Sequence, residues 1–345
     1  MGSETGGWIA QVRNTVDERL GAYFAEKRRE GGDISPDAET LVEAIETLTM
    51  RGGKRLRPAV LTAGWRAVAP ADADLRVTAE PGAALELLQS YLLIHDDWMD
   101  QDDERRGGPS VHAALREHVS PPHLADSLAV LAGDLGCTYA WELILSTDWP
   151  HARRREAEEA FLQIQKEVLF GQQLDLTASP HVSRMHQLKT GSYTVRGPLR
   201  LGGILGGGNE QQLRALDDFG EPLGEAFQLR DDLLGTFGDT EATGKPAGND
   251  LKAGKRTSLV AEAESSLGED ELAPLRGVLG NDGASADQIA SATDLLERCG
   301  ARERVEARLD TLLARAVAAI DAGDFTDEGR SQLRDVANKL AVRAM

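Results

Sequence analysis

The chain has 345 residues, a net charge of −19 and two cysteines, Cys137 and Cys299, with no spacing pattern. The acidic balance excludes the basic footprint that nucleic acid or an anionic membrane surface requires. The cysteines give neither a disulfide framework nor a zinc site. Met1 to Gly7 lacks the basic and apolar parts of a signal peptide, and no run of about 18 apolar residues marks a membrane span, so a cytoplasmic protein is expected. Arg outnumbers Lys 30 to 8, which makes each Lys worth a chemical reason. Lys is a compact, mobile charge suited to phosphate oxygens.

Trp8 to Lys27 reads as a short, peripheral amphipathic helix with a break at Gly31-Gly32. Ser35-Pro36 opens the next helix, about 37–50, with Ser as N-cap and Pro at N1. It stops at Arg51-Gly52-Gly53-Lys54-Arg55-Leu56-Arg57-Pro58. Four cations and two glycines at a helix junction suit an anion, and a basic loop answering an acidic surface would look the same.

After a helix over 61–68, a long helix from Thr78 ends in Leu92-Leu93-Ile94-His95-Asp96-Asp97-Trp98-Met99-Asp100. Asp96 and Asp100 lie about 40° apart on the wheel and one turn along the axis, so their oxygens can share divalent cations. Read alone, the cluster is equally a solvated acidic helix end. It opposes the helix dipole, however, and wants a positive partner. Gln89 lies on the same face two turns earlier. Arg105 and Arg106 follow; direct pairing with the aspartates would hinder metal chemistry, so they are expected to face an anion that the metals share.

Helices over 123–148 and 151–177 come next, the second ending at Gln172 and Asp175. His181 to Tyr193 contains Lys189-Thr190, and Gly197 to Gly208 reads as a buried helix despite its glycines. From Glu210 a helix runs to Gln228-Leu229-Arg230-Asp231-Asp232, a second acidic end, and a loop with Gly244-Lys245 and Asp250 to Thr257 follows. Residues 258–345 alternate helices and breaks and are expected on the outside of a bundle. No period-2 strand pattern appears anywhere.

Two acidic helix ends and four junctions rich in Gly, Lys or Arg form one chemical set. Carboxylates holding Mg²⁺ can bind an anion, because that hard cation keeps open positions for phosphate oxygens, and Lys and Arg complete the cage. The set fits polyphosphate held between helices. No Walker-type loop is present, which disfavours a nucleotide.

These motifs in this order resemble the trans-type isoprenyl diphosphate synthases of the polyprenyl synthase family, over roughly residues 40–260, and most resemble a geranylgeranyl diphosphate synthase. The resemblance implies an all-α single-domain bundle spanning the chain around a deep central pocket, usually a homodimer. It implies that an allylic diphosphate is joined to isopentenyl diphosphate (IPP) with three Mg²⁺. Asp96 and Asp100, assisted by Asp97, would bind two ions, and Asp231, with Asp232 nearby, the third. Arg105, Lys189, Lys245 and Lys255 would contact the allylic diphosphate, and Lys54, Arg57, Gln89 and Arg106 that of IPP. Thr190, Tyr193 and Gln228 would line the reacting centre, with Lys189 beside them and Gln172 and Asp175 in support.

One position departs from the family: many relatives carry a third Asp in the second motif where this chain has Gly235. Product length falls by resemblance to Leu88, Tyr91 and Leu92, which points to a C20 product, with farnesyl (C15) as the alternative. A class I terpene cyclase and a non-catalytic subunit of a heteromeric synthase are the rival readings. The junction at Gly53-Lys54-Arg55 speaks against the first, and two intact acidic motifs speak against the second.

Overall fold

The computed structural model describes residues 7–177, 179, 181–238, 248–281 and 283–341. Among them the chain is helical apart from one two-residue ribbon. It gathers into two compact units, one running to Phe161 and including Pro198–Asn209, the other comprising Leu162–Gly197 and everything from Glu210 on.

The first unit is built on α1 (Gly7–Ile34), α2 (Pro36–Met50), α3 (Leu56–Val68), α4 (Ala79–Asp100), α5 (Val111–Arg116) and α6 (Pro122–Leu145), with the ribbon β1 (Glu104–Arg105) and β2 (Gly108–Pro109) between α4 and α5. Ser35 caps α2 by accepting from the Ala38 N–H at 3.1 Å, with Pro36 in its first turn. Two expectations fail in α1. The helix runs through Gly31-Gly32, and a Cβ at Gly31 would meet Ala38 O and the Glu39 backbone at 3.2 Å. That glycine lets α1 and α2 approach; it does not break the helix. Nor is α1 peripheral, since Ile9, Val12, Val16, Leu20 and Phe24 are buried in the core.

Helices α4 and α6 pack along their length, with Ala125, Ala129, Ala132, Gly133, Gly136 and Ala140 of α6 buried. Helix α6 is long and apolar enough to cross a bilayer, by length and composition alone, as a core helix also can be, and 44% of its most apolar window is buried inside the protein. Its small residues serve helix packing. The glycine-rich run forms α9, continuing from the preceding helical turn over Gly197–Gly206, and crosses α3 almost backbone to backbone. A Cβ at Gly202 would lie 2.0 Å from Leu61 O, and one at Gly64 2.3 Å from Leu199 O.

The second unit takes the larger part of α7 (His151–Leu176), α8 (Val182–His186), a π-helical segment (Gln187–Arg196) and α10 (Glu210–Phe237). It continues through α11 (Asn249–Lys252), α12 (Ser258–Ser266), α13 (Ala273–Arg276), α14 (Ala286–Arg298), α15 (Ala301–Ala322) and α16 (Asp327–Ala341). The late helices are not mere cladding. Leu259 and Val260 of α12, Leu296 of α14 and Val305 and Leu309 of α15 share one core with Leu229 and Leu233 of α10.

Gly202→Ala pushes a methyl into the α3 backbone, where no rotamer change relieves it. Overpacking of this kind is expected to cost about 1–3 kcal/mol or more, read as a lower urea midpoint; an unchanged midpoint would contradict the close crossing.

Candidate active site

In the first unit the chemistry gathers at the C-terminal end of α4 and the junction before α3. Asp96 and Asp97, adjacent on a helix, must point about 100° apart. Asp97 turns inward and is fully buried, while Asp96 keeps 21% of its side chain exposed and Asp100 lies at the surface. Asp97 is clamped by Arg105, whose Nε donates to Oδ1 at 2.7 Å and whose Nη2 reaches the same oxygen. Arg105 Nη2 also stands 4.0 Å from Asp96 Oδ2. The expected separation of this arginine from the aspartates is therefore corrected: Asp97, taken out of water, needs a charge partner of its own. Burial pushes the Asp97 carboxyl up, more than the Arg105 charge brings it back. Asp97 Oδ2 stays buried without a hydrogen-bond partner.

Arg105 is aimed by the ribbon. Arg106 (φ 54°) and Gly107 (φ 73°) both take left-handed backbone, the pairing that a two-residue type I′ hairpin requires. The sequence reading missed this ribbon because two residues a side are too short for a period-2 pattern.

Two guanidiniums fasten the hairpin to the basic junction. Arg51 Nη1 donates to Pro109 O (2.6 Å) and Arg105 O (3.1 Å), and Arg106 Nη1 donates to Gly52 O (2.9 Å). Lys54 is exposed there, while Arg57 and Gln89 are half-buried. Between Lys54 and Arg57 sits Arg55, a member of the basic junction with no predicted role of its own. It is 4% exposed at φ 45°, and it donates to Glu86 (2.6 Å), Asp17 (2.7 Å) and Thr49 O (3.0 Å). Burial works against its charge, but Glu86 and Asp17 overcome that and raise its pKa.

Of the residues expected to set product length, Leu88 is fully buried, Tyr91 nearly so and Leu92 half-buried. The Tyr91 ring meets His95 edge-on at 4.9 Å, and His95 Nε2 bonds Val130 O on α6 at 3.0 Å.

The second unit carries the other half of the predicted set. Lys189, Thr190 and Tyr193 fall on the π-helical segment, a form frequent at functional sites. A Cβ at Gly171 would sit 2.3 Å from Lys189 N, and one at Gly224 would lie 2.7 Å from Gly191 Cα, so α7 and α10 both touch this segment at its backbone. Lys189 Nζ donates to Asp175 Oδ2 at 2.5 Å. Gln172 is half-buried, and its Nε2 is buried without a hydrogen-bond partner.

The second acidic pair divides as the first does. Asp231 is exposed and Asp232 buried, with Oδ1 accepting from Gln228 Nε2 (2.9 Å) and Oδ2 from the Ser258 N–H at the start of α12 (2.8 Å). Asp232, expected near the cation with Asp231, thus accepts one hydrogen bond from the protein on each oxygen. Burial raises its pKa, with the His186 charge and these hydrogen bonds opposing. Lys255 Nζ pairs with Asp250 Oδ1 at 3.2 Å. Lys245 lies outside the described residues.

The oxygen donors suit a hard divalent cation. No three carboxylate, imidazole or thiol groups among the described residues converge on one point, so an ion held here would share its remaining positions with water or a substrate anion.

The polyprenyl synthetase family model matches residues 38–296. The chain is 34% identical over 311 residues to a short chain isoprenyl diphosphate synthase of Methanothermobacter thermautotrophicus, covering 87% of this chain and 86% of the relative. It is equally 34% identical over 305 residues to a geranylgeranyl diphosphate synthase of Sulfolobus acidocaldarius, covering 84% of each. Relatives of similar identity are named for farnesyl and geranylfarnesyl products. Among solved structures, a geranylgeranyl pyrophosphate synthase of Corynebacterium glutamicum, complexed with isoprenyl diphosphate and magnesium, superposes with TM-score 0.89 at 33% identity, covering 97% of this chain and 99% of that one.

Arg55→Met strips Glu86 of its buried partner and is expected to cost about 3–5 kcal/mol in urea unfolding. Adding Glu86→Leu should recover much of that loss. A single variant as stable as the parent would show the pair to be dispensable.

Proposed function

The chain belongs to the polyprenyl synthetase family and is a transferase of prenyl groups, and on that premise we propose that it condenses IPP with an allylic diphosphate to geranylgeranyl diphosphate. One observation carries the site assignment. Each described cation assigned to the allylic diphosphate is aimed by a carboxylate: Arg105 by Asp97, Lys189 by Asp175, Lys255 by Asp250. Preorganised charge of this kind stabilises a leaving group without reorganising as it departs.

Asp96, Asp100 and Asp231, the outward members of the two clusters, would hold Mg²⁺, three ions on this reading, with Asp97 and Asp232 fixing them from within. Bound Mg²⁺ neutralises charge gathering on the departing pyrophosphate. Arg105, Lys189, Lys245 and Lys255 grip that diphosphate while the allylic C–O bond breaks and both electrons leave with oxygen. Lys54, Arg57, Gln89 and Arg106 hold IPP so that its double bond attacks the allylic cation, a gain from proximity. Thr190, Tyr193 and Gln228 shield the cation from water, and the final proton goes to the released pyrophosphate. Leu88, Tyr91 and Leu92 limit product length, and the repeated geranylgeranyl names among similar proteins support C20.

A homodimer is part of the proposal. Helix α6 exposes Leu124, Leu131 and Leu145, and α7 exposes Leu162, Leu169 and Leu176. Spacings of seven and fourteen residues put each set on one stripe of its helix, suited to a second copy.

Purified protein with Mg²⁺, IPP and allylic primers of increasing length is expected to elongate them to C20 and to stop when the cation is chelated. Cyclisation without IPP, or silence until a second protein is added, would overturn the assignment. Tyr91→Ala should lengthen the product beyond C20, and an unchanged product would remove Tyr91 from the ruler. Leu131→Glu with Leu169→Glu should halve the mass by sedimentation; a parental mass would exclude these stripes as the contact.

A further inference from the structure

Arg51 ends α2, where its backbone N–H donates to Thr47 O at 3.0 Å, and opens the basic junction. Its side chain leaves the junction for the hairpin. Nη1 donates to Pro109 O on β2 at 2.6 Å and to Arg105 O on β1 at 3.1 Å, so one planar nitrogen holds a carbonyl from each strand. Gly108 makes room for it. Facing Arg105 across the ribbon, Gly108 does not share the left-handed backbone of Gly107, so its conformation does not demand glycine. What a side chain there would lack is space: a Cβ at 108 would lie 2.8 Å from both Cζ and Nη1 of Arg51. From the other direction Arg106 Nη1 reaches Gly52 O (2.9 Å) and Leu48 O (3.3 Å), so junction and hairpin each send a guanidinium into the other's backbone.

A two-stranded ribbon holds its shape poorly by itself in water, so the direction of the arginines it carries must be fixed from outside. Asp97 does this for the Arg105 guanidinium, and Arg51 does it for the strands beneath. We propose that Arg51, lodged in the space that Gly108 leaves, is a positioning residue for both substrates: it holds the hairpin to the junction and so aims Arg105 at the allylic diphosphate and Arg106 at that of IPP. The inference rests on the reading that puts those two arginines on the two diphosphates. With Nη1 committed to protein carbonyls, Arg51 acts on the substrates through the hairpin. Arg51 and Gly108 are then a matched pair, since a side chain at 108 would occupy the place of the guanidinium.

The test is steady-state kinetics of the full chain, varying IPP and an allylic diphosphate in turn, with IPP binding also read by titration calorimetry without Mg²⁺. Arg51→Met keeps the stem and removes the donors. Its kcat/KM should fall about tenfold for both substrates, and Kd for IPP should rise about as much, short of the ~100-fold that a 1 Å misplacement can cost. Arg51→Lys returns a charged donor without the planar group and should recover to within about threefold of parental. Gly108→Ala keeps the arginine but displaces it, and should match Arg51→Met. Combining Arg51→Met with Gly108→Ala should cost no more than either alone, because both break one contact; direct attraction between the Arg51 charge and the substrates would make the losses add. Thermal melts of every variant separate lost aim from lost folding. If Arg105→Lys lowers kcat/KM for the allylic diphosphate and Arg106→Lys lowers that for IPP, while folded Arg51→Met stays within about twofold of parental for both, this inference falls and the reading of the site stands. Additive losses also overturn it. Should Arg51→Met fail to fold, Gly108→Ala decides in its place by the same criterion. If Arg105→Lys and Arg106→Lys change neither substrate, both readings fall together.

Discussion

Concentrated negative charge on a helix, at the end of α4 and within the last turns of α10, is the constraint on which both halves of the site depend. The last carbonyls of α4 already present partial negative charge, and Asp96, Asp97 and Asp100 add to it. The fold meets this by dividing labour within each Asp-Asp pair. Neighbours on a helix diverge by about 100°, so one carboxylate can turn into the protein while the other faces out. Asp97 and Asp232 take the inward place and are held by Arg105 and by Gln228 with the Ser258 N–H. Asp96 and Asp231 are left outward. In each pair the inner carboxylate is tied to the protein, and its neighbour is left facing outward.

That presentation needs helices set closer than ordinary side chains permit. At Gly64 and Gly202 in the first unit, and at Gly171, Gly191 and Gly224 in the second, a Cβ would strike backbone at under 3.0 Å or come near it. These contacts fix backbone against backbone, which positions the elements more tightly than interdigitated side chains with rotamer freedom. Lys189 gains most, since the residue that Gly171 touches is Lys189 itself. A lysine has four rotatable bonds, so its aim depends on where its Cα is held and on what its ammonium meets, here Asp175.

The helices and the acidic and basic motifs were legible because their signals are local: apolar periodicity, Ser35-Pro36 at a helix start, clusters within a few residues. What stayed hidden is set by partners distant in sequence. Gly31-Gly32 has the composition of a break, but the chain passes through it as helix because α2 lies against it. Arg55 looked like one cation among four; its burial depends on Glu86 and Asp17, 31 and 38 residues away. The pairing of Arg105 with Asp97 is near in sequence yet was read the other way, because the depth of Asp97 is invisible without the packing of α4. The packing of Asp250 against Gly235 stayed hidden for the same reason, since the two residues lie on different helices.

Helix α4 joins two tasks that could have been separate. The carboxylates assigned to the cation and the residues assigned to product length lie on one rigid rod, with Tyr91 five residues, or about 7.5 Å of rise, before Asp96. A ruler must be fixed to its zero point, and here both marks share a backbone. The ideal wheel turns Tyr91 well away from Asp96, and the structure gives that turn a consequence: the ring packs edge-on to His95, whose imidazole in turn bonds Val130 O and overlies Gly133 of α6. Position 91 is thereby tied to α6, and a change in its volume is transmitted to the α4–α6 seam. On this reading the length of the product depends on how tightly two helices close over small residues, as much as on the size of any one side chain.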